Sequence, residues 1–118
     1  MKVPSFMLKK LYQKGSLKNT ESGFELAIKN NLMDATVTTM SLTVDSKPVP
    51  GDRITVAAGN APVPATQISE SNTIPLKVGV TVTLSVQDKS LSSGEHTIEI
   101  GAATKEFGDI NFSVSDTL

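Results

Sequence analysis

The chain has 118 residues, eleven basic and twelve acidic side chains, a net charge of −1 and no cysteine. This length fits one domain with a single core, the charge balance argues against nucleic acid and membrane surfaces as partners, and disulfides and thiolate metal sites are excluded. Because no apolar run fits a signal peptide or a membrane span, and because disulfides are absent, we expect a cytoplasmic protein.

Residues 4–14 allow two interpretations. Four side chains fit one face of a helix that Pro4 could begin, namely Met7, Leu8, Leu11 and Tyr12. Gly15 and Ser16 are poor helix residues, and the alternation from Leu11 onward fits a strand. We predict a strand over residues 7–18, with a short helix before or within residues 4–14 as the alternative.

The rest of the chain is a series of short apolar–polar alternations, which is typical of strands with one wet face. Strands are predicted at residues 24–28, 36–44, 53–57, 80–86, 96–104 and 110–114. Turns or loops are predicted at residues 19–23, 30–34, 58–64, 69–72, 87–94 and 106–109, and Asp45-Ser46 is predicted as a two-residue hairpin turn.

Proline confines two further segments to sheet edges, because it cannot donate to a ladder. These are residues 47–50, with Pro48 and Pro50, and residues 74–78, with Pro75. Residues 66–68 are predicted to pair briefly. Small side chains at residues 101–103 indicate that another layer or another chain comes close.

The pattern amounts to about eight or nine short antiparallel strands with regularly spaced turns, which predicts an all-β protein. We expect one Greek-key or jelly-roll-like β-sandwich domain over residues 1–118. Its core rests mainly on Val, Ile, Leu and four Phe, with one Tyr and no Trp. A core this thin favours burial against a partner.

His96 is the single histidine and the first candidate for chemistry. As a general base or metal ligand it would need a partner, but Glu95 and Glu99 have the opposite strand parity and point to the other face. The structural interpretation is that His96 begins its strand and binds a loop backbone, as the tyrosine corner does in immunoglobulin-like folds. We favour the structural role.

The sequence also lacks the motifs of other catalytic and ligand-binding sites. The sequence contains no Gly-x-Ser-x-Gly elbow, no glycine-rich phosphate loop and no alternating calcium-loop oxygens. Its aspartates lie nearly all in predicted turns, where they usually bond their own backbone. We therefore expect no catalytic, cofactor-binding or metal-binding residues, and no enzyme activity of the chain by itself.

Three segments carry a resemblance to a known family. They are residues 15–26, which include Gly15-Ser-Leu-Lys-Asn19 and Gly23-Phe-Glu-Leu, residues 42–56, and residues 91–100. The chain resembles the β subunit of C-glycoside deglycosidases, small all-β chains that pair with a larger barrel subunit. The resemblance implies a non-catalytic accessory subunit, with the metal and the acid–base residues in that larger, lyase-type partner.

Two other functions remain open at this stage. One is a stand-alone ligand- or carbohydrate-binding sandwich, which would need exposed aromatic side chains. The other is a structural domain that self-associates into a homo-oligomer through edge strands such as residues 74–78. The expected partner is thus a larger enzyme subunit or a second copy of the chain.

Overall fold

A computed structural model describes residues 3–59 and 62–118. Residues 1–2, and residues 60–61 of the predicted 58–64 loop, lie outside the described residues. The described chain forms two antiparallel sheets, which confirms the predicted all-β sandwich. The strands are β1 (Lys18–Thr20), β2 (Gly23–Lys29), β3 (Ala35–Val44), β4 (Lys47–Pro48), β5 (Ile54–Ala57), β6 (Val63–Pro64), β7 (Ile74–Leu76), β8 (Thr81–Gln87), β9 (Glu95–Thr104) and β10 (Gly108–Thr117).

The first sheet has the strand order β1-β2-β8-β5-β6, and the second has the order β10-β9-β3-β4. Strand β7 pairs with the beginning of β3, on the same edge that β4 occupies at the end of β3. Buried apolar side chains from both sheets form one hydrophobic cluster. The extent of the domain over residues 1–118 stays a prediction.

Strict alternation explains the central strands. In β8, Val82, Leu84 and Val86 are almost completely buried, while the residues between them are partly or fully exposed. The same period places every second side chain of β2 and β9 in the core. These strands lie where the sequence predicts them, to within a few residues.

The N-terminal strand prediction is wrong, and the helical alternative is confirmed. Helix α1 (Ser5–Leu8) follows Pro4 and continues as a 3₁₀ turn over Lys9–Leu11. The burial of Leu8, Leu11 and Tyr12 decides the conformation, because a helical segment places all three against the core. Beyond the helix, Tyr12 forms an isolated bridge with Ile28 on the edge of β2.

Three smaller predictions also need correction, the first being the 58–64 loop, because Val63–Pro64 pairs with β5 as strand β6. Residues 66–68 do not pair as a strand, since a 3₁₀ turn spans Ala65–Gln67. The turn at residues 19–23 is tighter than predicted, because Thr20 pairs with Gly23 and only two residues connect β1 and β2. A Cβ on Gly23 would lie 2.0 Å from the carbonyl oxygen of Val86, so β8 approaches too closely for any larger residue.

The edge segments are confirmed, whereas the close approach at Gly101 comes from a strand of the same sheet and not from another layer or chain. Both β4 and β7 are short, contain proline and pair on one side with β3. At Gly101 in β9, a Cβ would lie 2.6 Å from the Oγ of Ser41. The neighbouring strand β3 therefore explains the small side chain at this position.

A β-bulge shifts the register of β3 against β9. The register shifts between Val37 and Thr39, so that Thr38 is the extra residue. Without this shift, Val37 would have the parity of the outward-facing Thr39. The bulge turns Val37 into the core, where it is 1% exposed.

Within the described ranges, no helix has both the length and the apolar character needed to cross a membrane.

Candidate functional site

His96 lies at the start of β9 with both ring nitrogens occupied. Its Nδ1 lies 2.6 Å from Oδ2 of Asp45, and its Nε2 lies 2.8 Å from the carbonyl oxygen of Ser92. Both partners are acceptors, so only the protonated imidazolium donates to each of them. The bond to the Ser92 carbonyl is the loop contact that the sequence predicted, whereas the bond to Asp45 was missed.

Asp45 holds the turn between β3 and β4 in an unusual conformation. Asp45 and Ser46 have φ values of 50° and 68°, as a type I′ hairpin turn requires. The Oδ1 of Asp45 accepts a bond from the N–H of Thr97, and its own N–H donates to the carbonyl of Thr97. Asp45 therefore ties the predicted hairpin turn to the start of β9.

The two charges stabilise each other. The Ser92 carbonyl and then the Asp45 carboxylate raise the pKa of His96 above its ordinary value. The bond from His96 and then that from the Thr97 N–H lower the pKa of Asp45. An imidazole that is held protonated, with both nitrogens engaged, has no free lone pair to act as a general base.

A buried carboxylate, Asp116, lies on β10 directly opposite His96. Its Oδ2 accepts bonds from the hydroxyl of Tyr12 at 2.6 Å and from the N–H of Gly15 at 2.8 Å, with a longer bond from the N–H of Leu17 at 3.4 Å. These bonds fasten the N-terminal segment to the last strand. The cluster joins residues about a hundred positions apart.

Burial and bonding oppose each other at Asp116. Burial raises the pKa of its carboxyl group, but the bonds from Tyr12 and from three backbone N–H groups outweigh it, and the pKa is lowered. Burial and the bond to Asp116 raise the pKa of Tyr12 to about 12. The pair is therefore a neutral phenol donating to a carboxylate.

We call the end of the sandwich that carries His96, Asp45 and Asp116 the polar end.

The sequence contained one signal for Asp116. It has the parity of Phe112 and Val114, which the alternation placed inward, but the predicted strand stopped at Val114. An acidic residue at an inward parity position needs a partner. Nothing local identifies Tyr12 as that partner.

The opposite end of the sandwich contains an apolar cavity of about 300 Å³ between the sheets. Its walls include Val37 and Met40 from β3, Val82 from β8 and Ala102 from β9. Helix α1 and the 30–34 loop contribute Met7, Met33 and neighbouring residues to the lining. We call this end of the sandwich the apolar end.

Exposed apolar side chains gather on the segments that close the apolar end. Among the described residues, three large apolar side chains are exposed: Phe6 (65%), Met33 (46%) and Val78 (55%). Phe6 lies in α1 beside Met7, and Met33 lies in the 30–34 loop. Val78 is held against that loop, because its N–H donates to Oδ1 of Asp34.

Within residues 3–59 and 62–118, no group of three or more His, Asp or Glu side chains is arranged to hold a metal ion. His96 offers no free base to a nucleophile, because both of its ring nitrogens are engaged. The expected absence of catalytic, cofactor and metal residues stays a prediction.

Fold and site together define a small β-sandwich with hydrogen-bonded polar side chains at one end and an apolar cavity at the other. The family model described as "Hydroxymethylglutaryl-CoA reductase, N-terminal domain" matches residues 7–118. The chain belongs to this family. A comparison with curated proteins found no matching relative.

This family match overturns the resemblance to C-glycoside deglycosidase β subunits, which was wrong. The segments that carried it are turn-and-strand patterns, such as Gly94-Glu95-His96. Such patterns follow from the geometry of hairpins and recur in unrelated sandwiches, so they indicate a fold and not a family.

Proposed function

We propose that this chain is a non-catalytic N-terminal module of a hydroxymethylglutaryl-CoA reductase and that it binds the catalytic part of that protein. The observation that carries the proposal is the family match over residues 7–118. The chemistry of the described side chains agrees with it, because both nitrogens of His96 are occupied. A module of this kind acts through a binding surface.

The apolar end is the best candidate for that surface. Phe6, Met33 and Val78 are exposed on three segments that each contribute a residue to the cavity lining, whereas no large apolar side chain is exposed among the described residues of the polar end. Apolar side chains grouped in this way typically mark an interaction site. We propose that the catalytic part covers them.

The test is a binding measurement between this chain and the catalytic part of the reductase from the same source. We expect Phe6→Glu and Val78→Glu each to weaken binding about tenfold or more, because a buried unpaired carboxylate is costly at an interface. Neither side chain lines the cavity. Isothermal titration calorimetry gives the affinity, and circular dichroism checks that each variant is folded.

Ser90→Glu is the matched control, since Ser90 is exposed at the polar end. It adds the same charge and should leave the affinity unchanged. Undiminished binding by both apolar-end variants would refute the proposed surface. Binding of the wild-type chain is measured in two ways: by mixing it with the catalytic part, and by hydrogen exchange on a single chain that joins the two. If neither measurement detects contact with the catalytic part, the proposal of a binding module is refuted.

The two other functions considered from the sequence have less support. Sugar-binding sandwiches use exposed aromatic side chains, but Tyr12, Phe24 and Phe112 are buried and Phe107 lines the cavity. Among the described aromatic residues, Phe6 alone is exposed. Self-association through the apolar end would appear in the same experiment as a concentration-dependent mass of the chain by itself.

A further inference from the structure

The cavity at the apolar end is large enough for a ligand. Its volume of about 300 Å³ is roughly twice that of the engineered 150 Å³ cavity that binds benzene, and it lies at the lower limit of natural ligand pockets. By that proportion, it accommodates a hydrocarbon of about ten to twelve carbon atoms.

The polar groups of the lining are already satisfied. The amide of Asn30 donates to the carbonyls of Met33 and Leu76 and accepts from the N–H of Leu32. The hydroxyl of Thr104 donates to one backbone carbonyl and accepts from one N–H in the following turn. Water inside the cavity would find few partners, so the space favours an apolar occupant.

Among the described residues, one charged residue lines the cavity, and it is basic. Ile28 on β2 points into the core, and the next residue, Lys29, ends the strand and is an exposed residue of the cavity lining. The lining within residues 3–59 and 62–118 contains no carboxylate. A ligand with an apolar tail and an anionic head would place its two parts in matching surroundings.

Two of the lining side chains are methionines from separate segments. Met7 in α1 and Met33 in the 30–34 loop both line the cavity, and methionine adjusts its shape to irregular apolar ligands. A long bond of 3.4 Å from the side chain of Asn31 to the carbonyl of Lys10 links the two segments. A small relative movement of these segments would admit a chain.

We propose that the apolar end binds one medium-length hydrocarbon chain with a carboxylate head, with the tail in the cavity and the head beside Lys29. The proposal requires only this chain, so it is independent of binding to a catalytic part. It concerns the interior of the apolar end, whereas the docking surface is tested at Phe6 and Val78, which do not line the cavity; Met33 belongs to both.

The test is a titration of the isolated chain with decanoate, decanol and decyltrimethylammonium, each below its micelle concentration, followed by two-dimensional NMR. We expect saturable one-to-one binding of decanoate, with the largest shifts at residues such as Ala35, Met40 and Ala102. Decyltrimethylammonium should bind more weakly than decanoate because it places a cation beside Lys29.

Two variants separate the tail from the head. Ala102→Trp fills the cavity and should lower the affinity for decanoate and decanol at least tenfold. Lys29→Gln should lower the affinity for decanoate about threefold to tenfold and leave the affinity for decanol unchanged. Lys89→Gln, a change of the same kind at the polar end, is the control and should alter neither affinity.

The proposal would be overturned if the NMR shift changes did not saturate with decanoate, or if the folded Ala102→Trp variant bound decanoate as tightly as the wild-type chain. If Ala102→Trp does not fold, Val82→Leu narrows the same cavity by one methylene and should still weaken binding measurably. Equal effects of Lys29→Gln on decanoate and decanol would refute the head contact. Decanoate binding by a chain that fails to bind the catalytic part would support this inference and refute the module proposal.

Discussion

At the polar end of the sandwich, hydrogen-bonded polar side chains join distant segments, while at the apolar end unfilled space lies between the two sheets. His96, Asp45 and Asp116 each have two or more hydrogen-bond partners, and the described residues contain no buried side-chain polar atom without one. The cavity at the other end has a lining that is almost entirely apolar. The polar end therefore ties distant parts of the chain together, whereas the apolar end contains the space for the proposed ligand.

The largest expected effect comes from breaking the polar end at Asp116. Asp116→Ala leaves the hydroxyl of Tyr12 and the N–H of Gly15 without their acceptor in a buried place. We expect a loss of about 3 kcal/mol in the free energy of unfolding, measured with urea. Tyr12→Phe removes one donor only and should cost about 1.5 kcal/mol.

Asp109→Ala is the control for this prediction, since Asp109 lies on the same strand and is exposed. Its effect should stay within about 0.5 kcal/mol. If Asp116→Ala costs no more than this control, the carboxylate is not the anchor of the N-terminal segment.

The second test adds the same methylene at each end. Val82 and Val86 face the core from one strand, but Val82 lines the cavity and Val86 lies toward the polar end. Val86→Leu should cost about 1–3 kcal/mol through overpacking. Val82→Leu should be neutral or gain up to about 0.8 kcal/mol, because the added group enters free space. Equal losses in thermal or urea unfolding would contradict the difference in packing.

The third prediction concerns pH. The pKa of His96 is raised, so its contribution to stability is complete below its ordinary pKa of 6.5 and is lost as the pH rises through the folded value. The pKa of Asp45 is lowered, so its contribution is complete above its ordinary pKa of 3.8 and is lost as the pH falls through the folded value. The pair therefore contributes fully between about pH 4 and 6.5.

Urea unfolding at a series of pH values would measure this window. We expect the free energy of unfolding to decline above pH 6.5, and His96→Gln should remove that part of the decline. An unchanged alkaline slope in His96→Gln would show that other groups cause it. Asp116 also has a lowered pKa, so the acid decline should persist in this variant.

The smallest expected effect is at the hairpin turn of the polar end. Ser46 has a φ of 68°, which costs a residue with a side chain more than it costs glycine. Ser46→Gly should stabilise the fold by about 0.5 kcal/mol, as measured by the midpoint of thermal unfolding. Ser22→Gly, at a turn residue without positive φ, should not stabilise it.

Much of the fold could be predicted from the sequence because a half-buried strand needs only local alternation. The strands that contain Leu26, Leu84 and Ile98 follow from that period alone. The N-terminal segment was mistaken for a strand because a short amphipathic stretch fits both periods. Its conformation depends on the core that receives Leu8 and Leu11.

What the sequence determined by itself was the all-β class, the hairpin turn at Asp45-Ser46, the edge segments with proline and the loop bond of His96. Only the tertiary structure decided that Asp45 meets His96 across 51 positions and that Tyr12 meets Asp116 across 104. The cavity likewise has no local signature, because an unfilled volume depends on how two sheets and a helix pack together. Local patterns specify strands, and the docking of those strands specifies the sites.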